Sequence, residues 1–418
     1  MHLFETTRQQ VVAFSPGPMV TMYTCGITPY DAAHLGHAAT YVTYDVLQRR
    51  LRDLGHDTQC VRNITDVDDD ILRKARELGV HYLDLAGEEM ARFDADMAAL
   101  GLLAPWSEPR ATSAIPDILG FIGMVLDSGH AYQAGGGVYF SVASMASFGS
   151  VSHLGRGDML RLAAENGGRT EDPWKRDPLD FVLWQPSLPG EPAWESLWGR
   201  GRPGWHIECS ALAMRELAPT IDLHGGGADL IFPHHECEAA QSEAATGEPL
   251  VRHWMHVGLV GLDGEKMSKS KGNLVFVHDL LKEWEAPAIR VAILGHHYRH
   301  AWEWDDTLMP LAAARLDAWR AAGSGDGALS EVRAALDDDL DCPTALAAVD
   351  RAAAAGLGVS EAAALLGVEL GGGSGRFLRT PGIVTGAPRG TPRKWAGSGR
   401  FLSLNPPIFV GSAGRDWQ

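Results

Sequence analysis

Residues 19–24 read as a strand that ends on Cys25-Gly26, and a helix is expected over 35–54, where Tyr41, Tyr44, Leu47 and Leu51 fall at helical spacing. Gly55-His56-Asp57 stops that helix, residues 58–64 form a second expected strand, and Thr65-Asp66-Val67-Asp68-Asp69-Asp70 stands where the next helix begins. Two strand, loop and helix units in succession restrict the chain to an α/β architecture built on a parallel sheet. Sheets of that kind bind ligands beyond the C-terminal ends of their strands, so the loops that follow each strand are where chemistry is to be sought.

Further helices are expected over 82–100 and 115–128. From 135–142 onward the chain turns glycine- and proline-rich as far as Pro203, which suits an inserted, loop-rich subdomain. The sheet pattern resumes at 220–223, before a triple glycine, and at 254–260, before a lysine-bearing loop. Residues 274–370 are rich in Ala and Leu and read as helical, with a break at 323–327. The expected organisation is a catalytic domain in two halves, 1–130 and 201–273, an inserted connective subdomain at 131–200, a helical domain at 274–370, and a basic tail at 371–418 that composition marks as disordered.

Charge and cysteine usage narrow the function classes. The formal charge is −17, yet residues 371–418 hold seven Arg or Lys against the single acid Asp416, so the body is more acidic than the whole. A surface that acidic repels phosphodiester backbones, which makes tRNA an unlikely partner outside the tail. No apolar run approaches the roughly 20 residues that a membrane span needs, and the N-terminus lacks signal-peptide regions; a cytoplasmic location and no membrane partner are expected. Cys25, Cys60, Cys209, Cys237 and Cys342 are too scattered for a disulfide framework and suit metal binding or catalysis instead.

Several motifs carry the chemistry. His34-Leu35-Gly36-His37 opens the first helix, where free backbone N–H groups and the helix dipole favour anions, so the two imidazoles can donate to ATP phosphates as charge builds on leaving pyrophosphate. Taken alone, two histidines beside a helix cap are commonplace. Lys266-Met267-Ser268-Lys269-Ser270 supplies the complement, a loop whose Lys266 and Lys269 can neutralise the transferring phosphoryl; a solvated charge run has no use for the intervening Met267. Gly225-Gly226-Gly227-Ala228-Asp229 allows close approach of a nucleoside with Asp229 on its ribose, or is an ordinary turn. Cys25, Cys209 and His234 would all stand near strand ends, a donor set that suits Zn²⁺ with a fourth position open; Glu238, one helical turn past His234, could complete it. Buried structural cysteines are the competing interpretation. A thiophilic metal beside an ATP site would select a thiol substrate over its hydroxyl analogue, which points to cysteine.

With these motifs in view, the chain resembles the class I aminoacyl-tRNA synthetases, and within them the cysteinyl-tRNA synthetases and the related cysteine ligases of mycothiol synthesis. Cys25 to Asp31, His34 to His37, Asn63 to Asp69, Gly204 to Cys209, Gly225 to Asp229, Phe232 to Glu236 and Lys266 to Ser270 carry the resemblance. Ala38-Ala39-Thr40-Tyr41, Gly201-Arg202-Pro203-Gly204-Trp205, Lys271 to Val275 and Trp302-Glu303-Trp304 look like the ligases, as does the end of the matching portion near Leu370. Glu238 looks like the synthetases, and Glu165-Asn166-Gly167-Gly168-Arg169-Thr170 matches the ligases' Glu-Arg-Gly-Gly-Asp-Pro only in part.

The resemblance implies a Rossmann-like catalytic domain with an inserted subdomain and a C-terminal helical domain. It implies one Zn²⁺ on Cys25, Cys209 and His234, with Glu238 as a fourth candidate, and ATP as substrate together with Mg²⁺. Gly26, Ile27, Thr28, Thr40, Asn63, Ile64, Thr65, Trp205, Gly227, Ala228, Asp229 and Val260, with Cys25, would line cysteinyl-adenylate, and His34, His37, Lys266 and Lys269 would carry the phosphates. L-cysteine, ATP and glucosaminyl-inositol are the implied substrates of a monomeric enzyme, and a truncated cysteinyl-tRNA synthetase charging tRNA is the alternative.

Overall fold

A computed structural model describes residues 1–267 and 272–371, all within one compact unit. Lys269, with Ser268 and Ser270, and the tail from 372 onward lie outside the described residues; of Lys266 only the backbone is described.

The frame of the site consists of β1 (Met19–Ile27), α1 (Leu35–Asp53), β2 (Asp57–Ile64), α2 (Trp205–Glu216), β3 (Leu223–Gly227), α3 (Glu236–Thr246), β4 (Trp254–Val257) and α4 (Ala286–Leu294). The four strands form a parallel sheet in the order β4-β3-β1-β2. Met22 of β1 stands opposite Leu223 of β3, and Met19 opposite Asp57 of β2. From β1 the chain moves outward to β2 and then returns to β1's other side for β3, so a switch point opens between β1 and β3 at their C-terminal ends.

Both faces of the sheet are covered, as a parallel sheet requires. Met22, Leu35, Val42, Leu47, Leu223 and Met255 belong to one core, which continues through Ile293 to Trp319, Val349 and Val368; Tyr23, Val61, Ile118, Phe121, Leu212 and Trp254 belong to the other. Arg290 of α4 is completely buried in the first. It pairs with Asp45 of α1, whose other guanidinium partner is Arg49 at 2.7 Å, and donates to the carbonyls of Leu366 at 2.8 Å and Leu100 at 3.2 Å. The helices that follow α4 are thereby fastened to α1.

Three expectations are corrected. The first strand continues beyond residue 24 to Ile27, so Cys25, Gly26 and Ile27 are strand residues. The triple glycine does not follow a strand over 220–223 but forms the C-terminal end of β3, where a Cβ on Gly225 would lie 1.7 Å from the Met255 carbonyl oxygen and 2.2 Å from the Tyr44 hydroxyl. The glycine- and proline-rich insertion is an ordered four-stranded antiparallel sheet, Ala131–Ala134, Gly137–Phe140, Phe181–Pro186 and Gly201–Pro203, with the helix Arg156–Glu165 between its second and third strands. Val138, Phe140, Phe181 and Leu183 give it a core, and Phe140 stacks on Phe181 at 4.7 Å. Among the described residues no helix is long and apolar enough to cross a membrane.

Candidate active site and metal centre

β1 delivers Cys25 to the switch point because its C-terminal end is the sheet's central exit. Tyr41 of α1 fixes the backbone there by donating to the Cys25 carbonyl at 2.9 Å. Gly26 follows without a side chain because β2 crosses too closely: a Cβ would lie 1.6 Å from the Asn63 carbonyl oxygen. The Gly26 N–H donates to Asn63 Oδ1 at 2.8 Å, and Asn63 Nδ2 donates to Thr65 Oγ1 at 3.1 Å. Thr28 donates to Asp68 Oδ2 at 2.9 Å, while Asp68 Oδ1 caps the helix Asp69–Leu78 by accepting from the Ile71 N–H.

Cys209 arrives from the first turns of α2, and His234 and Glu238 from the bend into α3 and its first turn. Donor atoms of Cys25, Cys209, His234 and Glu238 all lie within 4.8 Å of one another, and all four residues are buried. The two sulfurs are 4.0 Å apart, Cys25 Sγ lies 3.6 Å from Glu238 Oε1, and His234 Nε2 lies 2.7 Å from the same oxygen. Two thiols, an imidazole and a carboxylate at this spacing fit a thiophilic divalent ion such as zinc. Cys25, His224, His235 and Glu238 form an alternative set within the same limit. The first set is the one a substrate can meet, because Cys25, Cys209 and His234 line the adjoining cleft whereas His224 and His235 lie behind it with no exposed surface.

The electrostatics divide the roles. Donation from the Cys25 thiol holds Cys209 down, to about 6, whereas burial and the neighbouring Cys209 push Cys25 up. Burial alone would discharge His234, yet the Glu238 carboxylate and Cys209 lift it to about 10; burial likewise opposes ionisation of Glu238, and His234 and His224 overcome it, bringing the carboxyl to about 2. Behind the donors stands a second layer. Glu238 Oε2 meets His224 Nε2 at 2.8 Å, His206 and His234 meet through their Nδ1 atoms at 2.9 Å, and His235 spans Cys25 at 3.2 Å and His256 at 2.6 Å. Trp205 stacks on His234 at 4.3 Å.

A cleft of about 900 Å³ runs from the donors across the strand ends. Of the residues singled out in the sequence, Cys25, Gly26, Ile27, Thr28, His34, His37, Thr40, Asn63, Thr65, Trp205, Cys209, Gly227, Asp229, His234 and Val260 line it. Ile64 and Glu238 are packed behind the wall, and Ala228 opens the turn Ala228–Leu230 without facing the cleft. His34 caps α1, its Nδ1 accepting from the Gly36 N–H at 3.1 Å, and its ring stacks on His37 at 3.8 Å. A Cβ on Gly36 would meet the His34 ring at 2.9 Å, so that glycine serves the cap as well as any nucleotide. Lys266 lies not in a loop but in a two-residue strand, Glu265–Lys266, paired with Val260–Leu262. Met267, 2% exposed, then anchors the segment against the cleft, its N–H donating to the Val260 carbonyl at 3.1 Å.

The cleft is also lined by Tyr30, Asp31, Asp68 and Arg202, which the sequence motifs contain without a role at the site, and by Arg73, Lys175 and Gln185, which no motif marks. The acidic run at 66–70 was a visible signal for Asp68; nothing local marks Lys175 or Gln185, which reach the cleft only because the insertion folds over it.

Comparison with known proteins agrees with this geometry. The family described as tRNA synthetases class I (C) catalytic domain matches residues 12–314. An L-cysteine:1D-myo-inositol 2-amino-2-deoxy-alpha-D-glucopyranoside ligase of Nocardiopsis dassonvillei is 52% identical, over 84% of this chain and 88% of the relative. Proteins of the same name from Thermobifida fusca and Streptomyces coelicolor are 52% and 49% identical, over 82% and 85% of this chain and 85% and 89% of theirs. Among solved structures, Mycobacterium tuberculosis methionyl-tRNA synthetase in complex with methionyl-adenylate superposes with a TM-score of 0.62 at 16% identity, over 80% of this chain and 82% of that one, which shows a shared fold.

Proposed function

Since the chain belongs to the class I (C) tRNA-synthetase catalytic-domain family, together with the L-cysteine:1D-myo-inositol 2-amino-2-deoxy-alpha-D-glucopyranoside ligases, we propose that it is an ATP-dependent cysteine ligase acting on glucosaminyl-inositol. The observation that carries this is the donor set of two thiols and an imidazole opening onto a cleft at the sheet's switch point, beside the paired histidines that open α1.

In the first half-reaction a carboxylate oxygen of cysteine attacks the α-phosphorus of ATP, forming cysteinyl-adenylate and releasing pyrophosphate. His34, His37 and the N-terminus of α1 would hold the phosphates, with Lys266 and Lys269 neutralising the charge that develops on them. Gly26 to Thr28, Thr40, Asn63, Thr65, Trp205, Gly227 and Asp229 would position the adenylate. A zinc ion held by Cys25, Cys209 and His234, with Glu238 beside them, would supply a soft contact that prefers the cysteine sulfur to a serine hydroxyl. In the second half-reaction the neutral amine of glucosaminyl-inositol attacks the acyl carbon, AMP leaves with the bonding pair, and the amine gives up a proton as the amide forms.

Incubation with ATP, labelled cysteine and either glucosaminyl-inositol or tRNA tests the reading. Label on the sugar, dependent on ATP and absent from tRNA, is the expected result. Label on tRNA alone would overturn it.

A further inference from the structure

Cysteinyl-adenylate accounts for only part of the cleft. The residues proposed for it come from the strand ends and from α1 and α2, whereas the insertion adds Asn166, Arg169, Lys175 and Gln185 to the lining with no part in activation. Lys175 is half-buried, and among the described residues its ammonium has no ion-pair or hydrogen-bond partner. Burial disfavours its charge, so a ligand that brings acceptors would relieve a cost the free protein carries. Arg169 donates to Gln185 Oε1 at 2.9 Å, which leaves the Gln185 amide nitrogen as a donor. The same cleft is lined by three acids that cap or open the helix Asp69–Leu78, and all three are already engaged: Asp68 accepts from Thr28 and the Ile71 N–H, Asp69 pairs with Arg202, and Asp70 with Arg73 at 2.7 Å. Asp31, half-buried, accepts from its neighbour Ala32 N–H and has no cationic partner among the described residues.

A cleft whose lining includes the Asp31 carboxylate, the Lys175 ammonium, the Arg169 guanidinium and the carboxamides of Asn166 and Gln185 suits a ligand that is cationic at one point and rich in hydroxyls elsewhere. We infer that this region is the acceptor subsite: Asp31 pairs with the ammonium of an incoming amino-sugar, which gives up one proton to solvent before the neutral amine attacks, and Asn166, Arg169, Lys175 and Gln185 hydrogen-bond its hydroxyls. The insertion, on this assignment, is the element that recognises the acceptor, while the parallel sheet activates the acid. The inference rests on the ligase reading above.

Lys175→Met and Asp31→Asn, each assayed in the full chain, separate the two half-reactions. Cysteine-dependent ATP–pyrophosphate exchange should stay at the wild-type rate, which also reports that the variants fold, while KM for glucosaminyl-inositol rises roughly ten- to a hundredfold, the loss of one charge-assisted hydrogen bond. Exchange falling in step with transfer would place these residues on the adenylate and overturn the assignment, as would an unchanged KM in Lys175→Met whose wild-type exchange rate reports a folded protein. A wild-type protein that exchanges pyrophosphate but never transfers cysteine to the sugar would defeat the ligase reading and the subsite together; normal transfer by wild type and both variants would defeat the subsite alone.

Discussion

Two thiols 4.0 Å apart in a buried pocket cannot both ionise cheaply, and Cys209, held down by donation from Cys25, is the one that ionises first. Cys209→Ser is therefore expected to lose metal retention, measured by elemental analysis, and with it the preference for cysteine over serine in pyrophosphate exchange; a variant that keeps both removes Cys209 from the donor set. Glu238 and His234 give a pH signature. In metal-free protein, Glu238 at about 2 contributes stability that is fully present above its ordinary 4.5 and lost as pH falls through about 2, while His234 at about 10 contributes stability present below 6.5 and lost as pH rises through about 10. Glu238→Gln should then lower the stability of chelator-treated protein by roughly 3–5 kcal/mol near pH 6, where both contributions are full, and by progressively less toward pH 2, read by denaturant unfolding. Cys25, Cys209, His234 and Glu238 could be grouped from the sequence chiefly through the family resemblance, because their wide spacing along the chain is by itself a weak signal. His224, His235 and His256 were not, since a histidine in or beside a strand carries no mark of its neighbours until β1, β3 and β4 stand side by side.

At the level of elements, the parallel units were readable because each strand is followed by a helix with a recognisable start, His34 capping α1 and Asp68 capping the helix after β2. The glycines of β3 misled for a physical reason. Glycine usually signals a turn, but here it is demanded by close packing between β4 and the Tyr44 hydroxyl, which donates to the Met255 carbonyl at 2.6 Å. Gly225→Ala should consequently cost at least about 2 kcal/mol, since the added carbon meets backbone that cannot move aside; thermal unfolding checks this, and an unchanged midpoint would mean that β4 is free to shift. The insertion's sheet was hidden by its composition, whose glycines and prolines mask the short alternating stretches that bury Val138, Phe140, Phe181 and Leu183.

Across the whole molecule the parallel sheet separates two cores, and the one on the α1 side extends without a break into the C-terminal helices. Arg290 is its fully buried polar tie, beside the Arg50–Asp337 and Arg333–Asp53 pairs nearer the surface. Arg290→Met leaves Asp45 with Arg49 and the Leu103 N–H and strands the Leu366 and Leu100 carbonyls, so a loss of about 3–5 kcal/mol in denaturant unfolding is expected. A loss confined to probes on the C-terminal helices, with the sheet unaffected, would show that the shared core does not unfold as one. The other side holds a different kind of connection. Gly204 alone separates the insertion's last strand, Gly201–Pro203, from α2, whose second turn carries Cys209. A tilt of the inserted sheet is thus a rotation of the helix that presents a sulfur to the donor cluster. Reciprocity then applies: if the amino-sugar tilts that sheet, filling the sulfur pocket and filling the sugar subsite change each other's affinity by one common factor, and the lever is a single glycine.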